Sequence, residues 1–274
     1  MMRIDRSAYE TKLDPDRKHH IGIFRDEATE AYARFFRWPV APLTDVHRAA
    51  IAAGDRPAGP SMSLDTIADL LEPGYFPVET GIFRAPSGEF CVAVWTPFPG
   101  CTPEMFDWWF GWHMTETNRY KLWHPQAHLF AQARYDYSSV ETLTDRERYV
   151  GNTSWVDEYI GPHMLSIALE FIDPGEIGLP YDLIEKHGYG TVVTAKGHDS
   201  VTGAFINSFV HAMRRTPYGC ELRSRFFFPA GFDRTICQAL IDHCATEMSH
   251  LASFLPRLYA SITGVGPTGR LEIA

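Results

Sequence analysis

The chain has 274 residues, a formal net charge of −9, 45% apolar residues and 22% charged residues. A chain of this size buries roughly 75% of its unfolded surface, and the composition excludes disorder, collagen and coiled coil. The acidic balance argues against nucleic acid or an anionic membrane as partner, since both want a basic patch. No window approaches the ~18 uninterrupted apolar residues of a transmembrane helix. The N-terminus MMRIDRSAYETKLDPDRKHH has no apolar h-region, so no signal peptide is expected. Five cysteines, an odd count without CxxC spacing, read as reduced thiols in a cytoplasmic protein. Aromatic residues make up 14%, which suits either a pocket for a planar apolar ligand or simply an aromatic core.

In chain order, segments 26–36 and 64–72 have the apolar spacing of helices. Between them lies a loop rich in Pro, Gly and Ala, including AAGDRPAGPS at 52–61. Residues 1–74 therefore read as an N-terminal helical arm, joined near Pro73-Gly74 to a body of residues 75–274. The body opens with a hairpin, FPVETGIFRAP and EFCVAVWTPF, turning at Ser87-Gly88. A helix follows, with Thr102 as N-cap and Pro103 at its first position, running through MFDWWFGWHMTETNRYKLW. Strands are expected near 128–137, 153–160, 163–172, 190–196, 203–215 and 219–229. A helix over about 233–262, capped by Asp233 and bent by Pro256, ends the chain. Strands gathered before one long helix give an α+β fold: an antiparallel sheet wrapped on the C-terminal helix, with a cavity between them.

The terminal helix carries the sharpest chemical signal. Its apolar stripe runs Ile236, Leu240, Leu251, Phe254, Leu258, and the two members missing from it are His243 and Glu247. Burying a Glu without a partner is expensive. A metal ion, an arginine or a His–Glu hydrogen bond would each serve. His250, on the flank of the same helix, reads as a surface or supporting histidine.

In RYKLWHPQAH, Pro125 separates His124 from His128, so the two should diverge, one toward the pocket. On strand 155–160, Glu158 shares a face with Val156 and Ile160 and needs a partner, an ion pair at the strand end being the plain alternative. Together His128, Glu158, His243 and Glu247 offer two imidazoles and two carboxylates, a set suited to Zn2+ and also to Fe2+ or Mn2+. His211 shares a strand face with Phe209 and Met213, as a pocket acid–base or a core histidine. Glu221, Arg223 and Arg225 share a face that reads as a salt-bridged sheet surface. The sequence has no P-loop, GxGxxG, HExxH or GxSxG.

The runs WWFGWHM…RYKLWHPQAH, HAMRRTPYGCELRSRFFF and HCATEMSHLASFLPRLY resemble the 2,4-diacetylphloroglucinol hydrolases, with phloretin hydrolase as a relative, over roughly residues 75–262. That resemblance implies a helix-grip fold like that of the Bet v 1 proteins, behind a small N-terminal helical domain. It implies a zinc-dependent hydrolase that cleaves the carbon–carbon bond between an acyl group and a phenolic ring. It assigns the metal to His128, Glu158, His243 and Glu247, choosing His128 over His124 because the first ligand follows a pocket tyrosine, here Tyr120, by eight residues. Tyr120, His211 and His124 are then expected around the substrate, with Tyr120 and His211 in catalysis. The family has an asparagine shortly after the first histidine ligand; LFAQ stands here instead, which leaves the exact acylphenol open. A non-catalytic polyketide or flavonoid binder is the alternative, and a metal-free cyclase or aromatase a third reading. A homodimer is expected, with residues 1–70 covering the cavity mouth or forming the dimer contact.

Overall fold

The structure, a computed structural model, describes residues 4–266. Strands β1 (Arg56–Pro57), β2 (Gly81–Arg84), β3 (Phe90–Pro99), β4 (His128–Ala133), β5 (Thr153–Ile160), β6 (His163–Ile172), β7 (Tyr189–Asp199), β8 (Phe205–Thr216) and β9 (Gly219–Phe228) form a single sheet. Its order is β1-β2-β3-β9-β8-β7-β6-β5-β4, antiparallel throughout except for the short β1–β2 pair. The helices are α1 (Asp45–Ala52), α2 (Pro103–His113), α3 (Thr117–Trp123), α4 (Asp145–Tyr149), α5 (Tyr181–Lys186) and α6 (Arg234–Thr263). The architecture is mixed α+β, with α6 packed on the sheet.

Local chemistry sets the element ends. The Asp233 side chain accepts from the Thr235 amide at 2.8 Å to start α6, which then continues through Pro256. Thr102 caps α2, with Pro103 in the first turn. The β8–β9 turn needs its glycine: Gly219 has φ +129°, and a Cβ there would sit 2.5 Å from the Gly100 amide.

The helix expected from Thr102 through Trp123 is broken into α2 and α3. Thr115 turns its hydroxyl back to the Trp112 carbonyl at 3.3 Å, and Glu116 takes an extended conformation before α3. The two expected N-terminal helices form only 3₁₀ turns, Ala31–Phe35 and Leu64–Leu71. In the first, the three-residue period puts Tyr32 and Phe35 on one side, and both enter the core that α6 shares. Conversely α1, capped by Thr44, forms within the stretch read as a loop.

The sheet is covered on both faces. On one, α2, α3 and α6 enclose an aromatic-rich core with Trp109, Phe110, Phe171 and Phe254. On the other, Ile67, Leu70 and Leu71 pack with Leu179 and Ile184 over Val192, Val210 and Ala212. This second cover changes the reading of Glu221, Arg223 and Arg225: they are salt-bridged but fully buried, not a sheet surface. Glu79 holds both arginines, Oε1 2.7 Å from Arg223 Nη2 and Oε2 3.0 Å from Arg225 Nη2. Glu221 accepts from Tyr75 Oη at 2.9 Å, Trp95 Nε1 at 3.0 Å and Arg214 Nε at 2.5 Å.

Glu79 is the shared counter-ion of two buried guanidinium groups. Burial pushes its carboxyl up, but Arg225 and Arg223 outweigh burial and hold it below the usual range. Glu79→Gln should therefore cost about 3–5 kcal/mol of stability at neutral pH, read from denaturant midpoints, because the arginines stay buried without their charge partner. A lowered folded-state pKa contributes stability above the unfolded value of ~4.3 and loses it as pH falls through the folded one, so the gap between variant and wild type should close in acid.

Candidate active site

His128 opens β4 directly after the turn at Pro125. The His128 amide donates to the His124 carbonyl at 2.9 Å, and the strand register sets His128 opposite Glu158 on β5. The alternation on β5 is the expected one: Val156, Glu158 and Ile160 face the interior, while Asp157 faces outward. There Asp157 is covered by the N-terminal segment, through His19 Nε2 at 2.7 Å and Arg17 Nη2 at 3.1 Å. From the other side, α6 presents His243 and Glu247 one turn apart, both buried.

These side chains converge. His128 Nε2 lies 3.3 Å from Glu158 Oε2 and 3.4 Å from Glu247 Oε2. His243 Nε2 lies 3.5 Å from Glu158 Oε2 and 3.8 Å from Glu247 Oε2. The Tyr120 hydroxyl donates to Glu158 Oε2, and its ring stacks on His128 with centroids 3.7 Å apart. His128 donates through Nδ1 to the Tyr120 carbonyl at 3.0 Å. This fixes the tautomer and leaves the Nε2 lone pair pointing at the cluster, where that atom is buried without a hydrogen bond.

An orphaned imidazole nitrogen beside two carboxylates is the donor set a divalent metal wants. The ligand atoms of His128, His243 and Glu247 lie within 4.8 Å of one another, and this buried group could hold a metal ion. Without a cation the charges are poorly balanced. Burial pushes Glu247 up to about 8, with His243 opposing and Glu158 adding to the rise. Burial, reinforced by neighbouring imidazoles, drives His128 well below its usual value, whereas Glu158 and Glu247 outweigh burial and raise His243.

The cluster forms part of the wall of a largely apolar cavity of about 790 Å³, counting its opening to solvent. Tyr120 and His211 also line it. Burial presses the His211 ring down to about 3, so it is neutral, and its Nδ1 meets Ser224 Oγ at 2.8 Å. His124 stands behind the cluster, its ring stacked on His243 with centroids 4.8 Å apart and its basicity pushed down to about 2, chiefly by burial. It is not among the residues lining the cavity. His250 is buried rather than at the surface: its Nδ1 accepts from the Ala41 amide at 3.2 Å, outside the cluster. Sequence reasoning passed over His113 and Trp123, which also line the cavity; a lone His inside the apolar run WWFGWH was the available signal.

A mixed α+β fold that encloses an apolar cavity, with imidazoles and carboxylates gathered on its wall, defines a small-molecule enzyme with a candidate metal centre. Residues 62–260 match the family model described as the DAPG hydrolase PhiG domain, and the chain belongs to that family. A 2,4-diacetylphloroglucinol hydrolase from Pseudomonas sp is 31% identical over 261 residues, covering 83% of this chain and 87% of the relative. The enzyme of that name from Pseudomonas protegens is likewise 31% identical, covering 83% of each. Phloretin hydrolase of Eubacterium ramulus is 28% identical over 264 residues, covering 88% of this chain and 93% of the relative. With these relatives, the chain is a hydrolase.

A ligand that binds only the folded cluster must stabilise the fold. Zinc at a thousandfold excess over its dissociation constant should add about 4 kcal/mol, seen as a rise in melting temperature over chelator-treated protein. His243→Ala should abolish the rise.

Proposed function

We propose that this chain is a zinc-dependent hydrolase that splits the carbon–carbon bond between an acyl group and a polyhydroxylated aromatic ring, the acylphloroglucinols being its substrate class. The observation that carries the reading is the buried His–Glu cluster opening onto an apolar cavity, in a chain whose relatives are named for diacetylphloroglucinol and phloretin. In this reading the arrangement is a helix grip, with α6 held by the curled sheet. Residues 75–274 form the catalytic domain and residues 1–74 an arm that shields it. The protein works in the cytoplasm as a homodimer.

His128, Glu158, His243 and Glu247 would hold the ion. Zinc there supplies Lewis acidity, polarising the acyl carbonyl and acidifying water toward a pKa of ~7. The remaining work falls to the protein. Hydrolysis delivers hydroxide to the acyl carbon and a proton to the ring carbon, giving a carboxylic acid and the free phenol. The ring carbon leaves readily once protonated to its keto form, when the bond resembles that of a β-diketone. Tyr120 holds a phenolic oxygen and, through its bond to Glu158, keeps that carboxylate aimed. His211, which lines the cavity and is anchored through Nδ1, is the residue assigned to take and return a proton. His124, stacked on His243 away from the cavity, backs that imidazole. Apolar walls, among them Val156, Ile167, Phe209, Phe226 and Leu240, exclude water from the ring.

The test follows release of short carboxylic acid from mono- and diacylphloroglucinols. Glu247→Gln should lose zinc and activity together. His211→Ala should keep full zinc and lose turnover. Tyr120→Phe removes one hydrogen bond, worth about 1–3 kcal/mol, and should slow turnover roughly ten- to a hundredfold while zinc stays bound. Tight phenol binding without acid release from zinc-loaded wild type would select the binding-protein reading instead. Loss of zinc in His211→Ala would place His211 among the ligands.

A further inference from the structure

The inward face of β5 carries one more polar side chain, which the mechanism above does not use. Ser154 lies four residues before Glu158 on the same face and lines the same cavity. It is 2% exposed, and its Oγ has no hydrogen-bond partner. Buried hydroxyls are nearly always bonded, so an orphan on a cavity wall marks the place of a missing partner. Trp123, 6% exposed, also lines the cavity with its indole Nε1–H buried without an acceptor, but its ring stands beside the cluster, with its centroid 5.6 Å from that of His128.

The position of Ser154 says what the partner is. Four residues of strand set it ~13 Å from Glu158. That is about the span of an aromatic ring with its opposed substituents, plus one polar contact at each end. Phe110 and Phe171, both fully buried, line the cavity as well, and Phe171 lies on β6 two residues beyond Leu169, the strand partner of Ser154. The half-buried Leu165, Ile206 and Ile236 belong to its more open side. A ring whose acyl carbonyl lies at the His–Glu cluster therefore directs its far edge toward Ser154. A serine hydroxyl donates or accepts, so Ser154 suits a ring oxygen.

We propose that Ser154 binds the ring oxygen opposite the acyl-bearing carbon and so makes the enzyme select rings hydroxylated at that position. The proposal rests on the acylphenol reading and adds the recognition of the far ring edge. A donor there also favours the keto form of the ring, whose oxygens carry more negative charge than those of the neutral phenol.

The test compares 2,4,6-trihydroxyacetophenone with 2,6-dihydroxyacetophenone, which lacks only the opposite hydroxyl, using full-length zinc-loaded wild type and Ser154→Ala. Calorimetric titration gives the dissociation constants, and acid release gives kcat and KM. In the variant, affinity for the trihydroxy ligand should fall about five- to thirtyfold and affinity for the dihydroxy ligand should stay within twofold. The melting temperature of the free variant should not fall, since the lost hydroxyl has no partner in the fold. Equal weakening of both ligands would reduce Ser154 to a packing residue, and no change for either would leave it facing water; each outcome overturns the proposal. If wild type binds both phenols but releases no acid, the hydrolase reading fails while the affinity comparison still judges Ser154.

Discussion

Two buried imidazoles, each held within about 4 Å of the same two carboxylates inside an apolar interior, form the constraint on which the rest of the structure turns. Such a cluster is costly by itself: buried charge without compensation destabilises a fold by several kcal/mol. Each element around it works to hold it together. The β4–β5 register sets His128 opposite Glu158, α6 places His243 and Glu247 one turn apart, and α3 brings the Tyr120 carbonyl and hydroxyl to fix one imidazole and one carboxylate. A divalent cation held there would turn the cost into cohesion and couple metal loading to folding.

The same geometry divides the labour of β5. Asp157 points out and ties down the N-terminal segment through Arg17 and His19, while Glu158, one residue on, points in. The N-terminal segment also reaches α3, where buried Lys121 donates from Nζ to the Gly22 carbonyl at 2.9 Å. The N-terminal segment thus contacts the two elements that carry Glu158 and Tyr120.

Much of the site was legible because regular periods carry it. A 3.6-residue stripe broken at His243 and Glu247, and a two-residue alternation at Glu158, are local patterns that survive without knowledge of what packs against them. The choice of His128 over His124 was not local: the residues leave both open, and the resemblance decided it. Ser154 could have been found from its place on the Glu158 face, but a lone serine among aliphatics gives no chemical signal until its hydroxyl is seen without a partner. The arm was least legible. Its turns are 3₁₀ and irregular, shaped by distant partners such as α6 and the outer sheet face, and the cover it lays on that outer face buries Glu221, Arg223 and Arg225, which pattern alone assigns to a face but not to a cover.

Elemental analysis of the full chain, purified without chelator, decides whether the His–Glu cluster is a metal centre. The wild-type chain should carry close to one equivalent of zinc, falling to background when His128 is replaced by alanine. Wild-type protein with less than a tenth of an equivalent of any divalent metal, yet fully active on an acylphloroglucinol, would contradict it.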